Sequence, residues 1–404
     1  MVDQGRQWRP EQFGLRALEL ADELVAIRRR LHEHPELSFQ EAETAAFVAE
    51  RLEGLGWRVR MGVGGGHGVI AELEGRSGGR LIALRADMDA LPIQEETGLS
   101  FSSARPGVMH ACGHDAHTAM LLGAAQLLAE AHAEQALHGT VRLLFQCAEE
   151  VGLGAQVLID HGALDGVDEI YGLHNLPTLP AGRVGVRPGP MMGSSDLIAI
   201  DIEGKGGHGA VPDQCVDPIV AGTAVVSALQ TIASREVSPF EPVVVTIGSF
   251  HAGSVGNIVP GSAELQGTVR TFSPAVRGRL PARLQLLVAD VAAAHRCKGT
   301  LRYMERTPVL INDEACTAAF ADLASAILGT EQVVRGEATM IGEDFARYLE
   351  LVPGCFFWLG SGPEQGAEQA YGLHHPKLQI NESCLPIGAS LLASVAFERV
   401  CKEV

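Results

Sequence analysis

Short runs of almost uninterrupted apolar residues alternate along this chain with longer segments of helical periodicity, and the clearest runs stop abruptly on charged or imidazole side chains. They fall at 69–73, 80–86, 141–146 and 169–174. A strand with one wet face alternates apolar and polar residues, whereas a continuous apolar strand is buried on both faces. Around these runs the spacing predicts helices. Leu20, Leu24, Ile27 and Leu31 share one helical face, and Ser38 with Glu41 reads as a capping box opening a second helix that runs to Gly54 and Gly56. Further helices are expected at about 116–130 and 154–164, with an apolar run at Cys355–Leu359 and a last helix from about 386. Helices alternating with doubly buried strands define an α/β fold.

The pattern changes at about residue 193. Strands at 196–202, 242–249, 262–272 and 299–306 are interleaved with helices at 217–235 and 278–295. The order β-α-β-β-α-β is the split unit of a ferredoxin-like α+β domain. The chain therefore divides into a discontinuous domain, 1–190 and 307–404, and an inserted one, 191–306. Its 404 residues match two or three domains of ordinary size.

Charge narrows the class of partner. Lys and Arg number 31 against 49 Asp and Glu, a net −18 with no basic run to offset it, which argues against nucleic acid and anionic membranes. Met1–Pro10 carries no apolar leader, and Val243–Ala263, though free of formal charge, is punctuated by Gly, Pro, His and Asn. Eight cysteines without a CxxC pair suggest a reduced, cytoplasmic protein.

The chemistry collects where strands end. Arg80–Ala86 runs into Asp87-Met88-Asp89, Val141–Phe145 leads to Glu149-Glu150, and Ile170–Leu173 is followed by His174. Between the first two lies His110-Ala111-Cys112-Gly113-His114-Asp115-Ala116-His117. Ligands bind at the carboxyl ends of strands in open α/β sheets. In an extended segment Cys112 and His114, two residues apart, point the same way, and thiolate with imidazole is a donor pair that zinc prefers. Taken alone, the pair fits equally well a core cysteine beside a helix capped by Asp115. Two adjacent carboxylates repel unless a cation or proton relieves them. A metal gives them different roles, one ligating while its neighbour accepts a proton from water. His374 lies in the turn Gly372–Pro376, and His208 in the glycine-rich turn Gly204–Gly209. Asn257 follows a glycine-rich loop, and Arg270, closing a strand, suits a bidentate grip on a substrate carboxylate.

These segments resemble the M20 family of metallo-aminoacylases and exopeptidases, in the branch of hippurate hydrolases, auxin-conjugate hydrolases and N-acyl-amino-acid amidohydrolases. The resemblance extends from Arg30–Glu36 to Leu373–Pro376 and is most specific at Arg85–Pro92, His110–His117, Ala148–Glu150 and Gly206–Pro212. It implies a zinc-exopeptidase-like catalytic domain with a mixed sheet and an inserted lid and dimerisation domain. It also implies two divalent ions per subunit, Zn or Mn, with Co or Ni as further options. Cys112 would bridge them, His114 and His174 would complete one, and Glu150 and His374 the other. Glu149 would be the general base and Asp89 the carboxylate orienting a ligand. His208 would reach the partner's active site, and Asn257 and Arg270 would contact substrate. The implied reaction is hydrolysis of a small N-acyl amino acid by a homodimer or homotetramer.

Three other readings stand beside it: a carboxypeptidase or dipeptidase on short peptides, a cysteine hydrolase using Cys112 with His114 or His117, and a metal-dependent binding protein. The sequence departs from the family pattern at Cys147, where proline is frequent, at Asp213, where histidine is common, and at Gly342, where serine is frequent.

Overall fold

The computed structural model describes residues 8–63, 65, 67–134 and 137–401. Met1–Gln7 of the N-terminal segment, and Gly64 and Gly66 of the glycine-rich connection Gly62–Gly68, lie outside the described residues. The chain separates into two compact units. One comprises Met1–Gly189, Ile311–Glu337 and Asp344–Val404; the other comprises Pro190–Leu310 with Ala338–Glu343.

The first unit is built on a mixed eight-stranded sheet. In spatial order its strands are Arg58–Val63, Gly68–Glu74, His138–Gln146, Arg76–Asp87, Glu169–Pro180, Gly354–Gly362, Val184–Val186 and Val333–Arg335. The four central strands are parallel, and their near-continuous apolar sequence fits burial on both faces. Arg76–Asp87 pairs His138–Gln146 on one side and Glu169–Pro180 on the other, so chain order reverses at this strand and opens a crevice beyond its carboxyl end. Helices His114–Glu134 and Cys384–Val400 are buried almost all round. They cross closely because Gly123 has no side chain: a Cβ there would sit 2.9 Å from Ala389 Cβ.

The sequence missed strand Arg58–Val63 and helix Glu314–Leu328. It also missed helix Pro10–Glu19, whereas the helix marked by Leu20–Leu31 forms as Ala21–Glu33. The Ser38–Glu41 capping box does not form. Helix Ala42–Gly54 has no cap from the Glu41 side chain; Glu36 instead accepts the N–H groups of Glu43 (3.2 Å) and Thr44 (2.8 Å). Ser38 and Glu41 are thereby released for other contacts.

The second unit holds an antiparallel four-stranded sheet in the order Val243–Ala252, Ser262–Thr271, Ser195–Glu203, Lys298–Thr307. Helices Pro218–Thr231 and Pro274–Ala294 complete the β-α-β-β-α-β order. Each helix starts where its sequence dictates: Asp217 accepts from Ile219 and Val220, Ser273 from Val276, and each cap precedes a proline in the first turn. Ile198, Ile200, Val225, Leu265, Leu284 and Val288 form its core. Gly342 belongs to this unit, and a Cβ there would meet Ser195 Cβ and Thr307 Oγ1 at 2.7 Å, which accounts for glycine in place of serine. Among the described residues no helix is long and apolar enough to cross a membrane.

Candidate metal centre

The carboxyl ends of the central strands deliver one side chain after another to the same crevice. Beyond Asp87, the chain runs through a long irregular segment to Cys112, and Gly113 turns it into the helix that His114 opens. Gly113 has φ +96°, so the extended Cys-x-His geometry expected from the sequence does not occur. The two ligands converge through a left-handed turn, which glycine adopts without strain. Strand Glu169–Pro180 also runs past His174 rather than ending before it. Its pairing with Arg76–Asp87 stops at Gly172, which frees the edge beyond.

Cys112, His114 and His174 offer three ligand atoms all within 4.8 Å of one another, and Glu150 and His374 form a second such group with the same Cys112. Cys112 Sγ is common to both groups and lies 3.4 Å from His174 Nε2. His374 Nε2 lies 3.3 Å from Glu150 Oε2. The His374 backbone, left-handed at φ 64°, donates its N–H to Ala111 O (2.7 Å), tying this turn to the segment carrying Cys112.

Hydrogen bonds fix the imidazole tautomers. His114 Nδ1 donates to the Asp89 carbonyl (2.9 Å) and His174 Nδ1 to the Asn175 carbonyl (2.8 Å), so in each ring Nε2 is the nitrogen left for a ligand. His114 Nε2 and Glu150 Oε1 are buried without a hydrogen bond, 3.9 Å apart. Buried polar atoms left in this way signal a missing partner. The field agrees. Burial, together with Glu150, Glu149 and Asp87, pushes the Cys112 thiol well above its usual range. His114, despite burial, is raised to about 10 by Asp87, Asp89 and Glu150. Cations of charge +2 would relieve both the crowded carboxylates and the thiol, so the residues fit a metal pair.

Asp89 is the organiser. It accepts from Glu149 N (3.1 Å), Glu150 N (3.0 Å) and Ser38 Oγ (2.6 Å), and its Oδ1 lies 3.3 Å from His114 Nδ1. Glu149 is buried beside it and accepts from the Asp344 N–H at 3.4 Å. Apart from offering His117 as a partner for Cys112, sequence reasoning gave no role to the layer below. Arg85 donates to Asp87 (2.6 Å), Gln146 (2.9 Å) and Asp344 (3.0 Å), and Asp87 Oδ1 accepts from His117 Nδ1 (2.6 Å). Arginine inside an apolar strand was the available signal. Cys147 is buried, and burial pushes its thiol up to about 12; among the described residues it joins no ligand group.

The remaining three candidates lie in the second unit. His208 and Asn257 meet at a small two-stranded ladder: strand Gly207–His208 pairs Ile258–Val259, and Gly209 N donates to Asn257 O (2.9 Å). Both are exposed. Arg270 is half-buried, its Nη1 donating to Met340 O at 2.8 Å, and burial lowers its pKa.

Residues 83–398 match the family model described as Peptidase family M20/M25/M40. The chain is 43% identical over 366 residues to an N-acetyl-L-cysteine deacetylase of Bacillus subtilis, covering 91% of this chain and 85% of that protein. It is 41% identical over 381 residues to the Arabidopsis thaliana IAA-amino acid hydrolase ILR1-like 4, covering 93% and 85%. The crystal structure of the Bacillus subtilis YXEP protein, described as a dinuclear metal binding peptidase, superposes with a TM-score of 0.82 at 39% identity, covering 94% of this chain and 98% of that one.

Proposed function

The chain belongs to peptidase family M20/M25/M40, and from that membership we propose that it hydrolyses the amide bond of small N-acyl amino acids. The observation that carries this reading is the pair of ligand groups sharing Cys112 Sγ, with the buried Glu149 beside them. In this reading His114 and His174 would hold one divalent cation with Cys112, and Glu150 and His374 would hold the other. When bound, the ions polarise the scissile carbonyl and acidify a water molecule. Glu149 takes the proton of that water as its oxygen bonds to the carbonyl carbon. When the C–N bond breaks, Glu149 returns the proton to the departing nitrogen. Asp89 acts through others, fixing the His114 ring and the backbone of both glutamates.

The second unit supplies recognition. His208 of the partner subunit and Asn257 stabilise the carbonyl oxygen as it gains charge, and Arg270 pairs with the substrate carboxylate. The dimer this requires is supported by the sheet edge. Strand Val243–Ala252 is the outermost of its sheet and contains no Lys, Arg, Asp, Glu or Pro, the residues that normally guard an edge. Helix Pro218–Thr231 is likewise uncharged. One thiolate, three imidazoles and one carboxylate suit zinc, with manganese as the alternative.

The test is a panel of N-acetylcysteine, benzoylglycine and an indole-3-acetyl amino acid, assayed on chelated protein and after adding Zn²⁺, Mn²⁺, Co²⁺ or Ni²⁺, with elemental analysis alongside. Turnover that depends on about two bound ions per subunit is expected. Turnover surviving exhaustive chelation but abolished by thiol alkylation would overturn the reading in favour of a Cys112 nucleophile.

A further inference from the structure

Two residues near Glu149 carry a backbone conformation their side chains disfavour. Ala148, immediately before it, has φ 56°, and Phe39, on a distant stretch of chain, has φ 61°. Left-handed backbone is uncommon for any residue with a Cβ and an outlier for a bulky one, so surrounding contacts must impose it. The contacts are specific. Ser38 donates to Asp89 Oδ2 (2.6 Å), and Glu41 Oε1 accepts the Ala148 N–H (2.8 Å). Segment Ser38–Glu41 thus grips the catalytic turn directly at Ala148 and indirectly through Asp89, with Phe39 bent between the two contacts.

Besides the Ala148 N–H, backbone groups of its own turn, at Phe39 and Glu41, favour the Glu41 carboxylate where it sits. It is fully buried, its Oε2 has no hydrogen-bond partner, and it gives its helix no side-chain cap. A buried carboxylate is unfavourable unless its contacts compensate, and the Ala148 N–H is the contact it makes with the reactive turn. The opposite side of the same residue is held as well: Ala148 O accepts from Gly154 N at 3.1 Å. From this left-handed residue the chain proceeds to Glu149 N and Glu150 N, which Asp89 holds.

We propose that Glu41 is a positioning residue for Glu149: by accepting the Ala148 N–H it keeps Ala148 left-handed and so aims the Glu149 carboxylate. The inference rests on Glu149 being the base. It concerns an acceptor atom at a fixed reach, and neither its charge nor the metal ions enter.

Two substitutions separate those properties. Glu41→Gln keeps the acceptor oxygen and loses the charge; Glu41→Asp keeps the charge and withdraws the oxygen by one methylene. Glu41→Asp is expected to lower kcat about 10–100-fold with KM within about 2-fold, the scale of a catalytic group displaced by about 1 Å. Glu41→Gln should retain kcat within about 3-fold. Melting temperature and bound metal should match the unsubstituted protein in both. Adding Ala148→Gly to Glu41→Asp should recover most of the loss, since glycine holds a left-handed turn unaided. A crystal structure of Glu41→Asp should show residue 148 out of the left-handed region. Full activity in Glu41→Asp, or a folded Glu41→Gln impaired more than 10-fold, would overturn the proposal, and the second result stands even where Glu41→Asp does not fold. If Glu149→Gln were fully active, the base assignment would fail by itself, while the φ of residue 148 would still report whether Glu41 holds it.

Discussion

In the first unit Cys112, His114, Glu149 and His174 are each less than 10% exposed, with His374 the exposed exception, whereas in the second His208 and Asn257 stand in solvent and Arg270 is half-buried. The second unit does bury charge, but for another purpose. Asp196 accepts from both arms of Arg277 (2.9 and 2.7 Å), from Tyr303 (2.8 Å) and from the Arg306 N–H (2.9 Å). Satisfied in this way, a buried carboxylate is architecture. In the first unit the polar groups are not all satisfied, because His114 Nε2 and Glu150 Oε1 have no hydrogen-bond partner. The difference is instructive. Where several buried donor atoms converge, an unsatisfied one among them marks a place for a cation; where groups are exposed, water satisfies every atom and the fold does not point to function.

The sharpest test of that contrast removes the shared atom. Cys112→Ala should lose activity below detection and drop the bound divalent ion by one or two per subunit, read by elemental analysis. A variant that kept both ions would show that the buried imbalance had been misassigned. Next in size, Glu149→Gln should lower kcat by about 10²–10⁴-fold while metal content is preserved, the range for a positioned general base. Third, His208→Ala should lower kcat by about 10²-fold, the scale for losing one oxyanion donor, with metal content and melting temperature unchanged because the exposed ring holds nothing in its own unit beyond a local contact with the Ala210 N–H. A loss of metal in that variant would erase the distinction between the two units.

The same contrast explains what could be read from the sequence. Strand ends are legible because a continuous apolar run must be buried, so Asp89, Glu149, Glu150 and His174 could be placed in one crevice before any geometry was known. The way they are held could not. Ser38 and Glu41 fit a local capping rule, but Glu36 fills that role, and they reach instead across to Asp89 and Ala148. Local propensity is overridden when a tertiary partner offers the better bond. The Cys112–His114 pair was found for a partly mistaken reason: the extended spacing suggested convergence, whereas a glycine turn produces it. Arg85 was passed over because a cation within an apolar strand signals a buried partner without naming it; only the folded chain brings Asp87, Gln146 and Asp344 around it. In the second unit the four strands and two helices were legible from pattern, but a glycine-rich turn announces its flexibility and not its ligand.

The smallest expected effect probes how the first unit supports its long irregular segment, 88–113, which carries Cys112. Glu95 lies in it, accepting from Ser103 N (2.7 Å) and Thr97 Oγ1 and meeting His32 Nε2 at 3.2 Å. Burial would raise its pKa, yet His32, Thr97 and the Ser103 N–H bring it down to about 2 from an ordinary value of 4.5. The folded state therefore binds this proton more weakly than the unfolded chain does. Its contribution to stability is complete above pH 4.5 and is lost as pH falls from there toward 2. Glu95→Gln cannot titrate, so its stability should respond less to acid. Between about pH 6 and pH 3, the apparent melting temperature of the unsubstituted protein should fall by about 1–3 °C more than that of Glu95→Gln. Equal slopes would mean that the segment carrying Cys112 is secured by its other anchors, including the Ala104 N–H on Glu33 O and the Leu91–Met109 pair. The buried unit would then rest on backbone bonds where it now rests on a carboxylate.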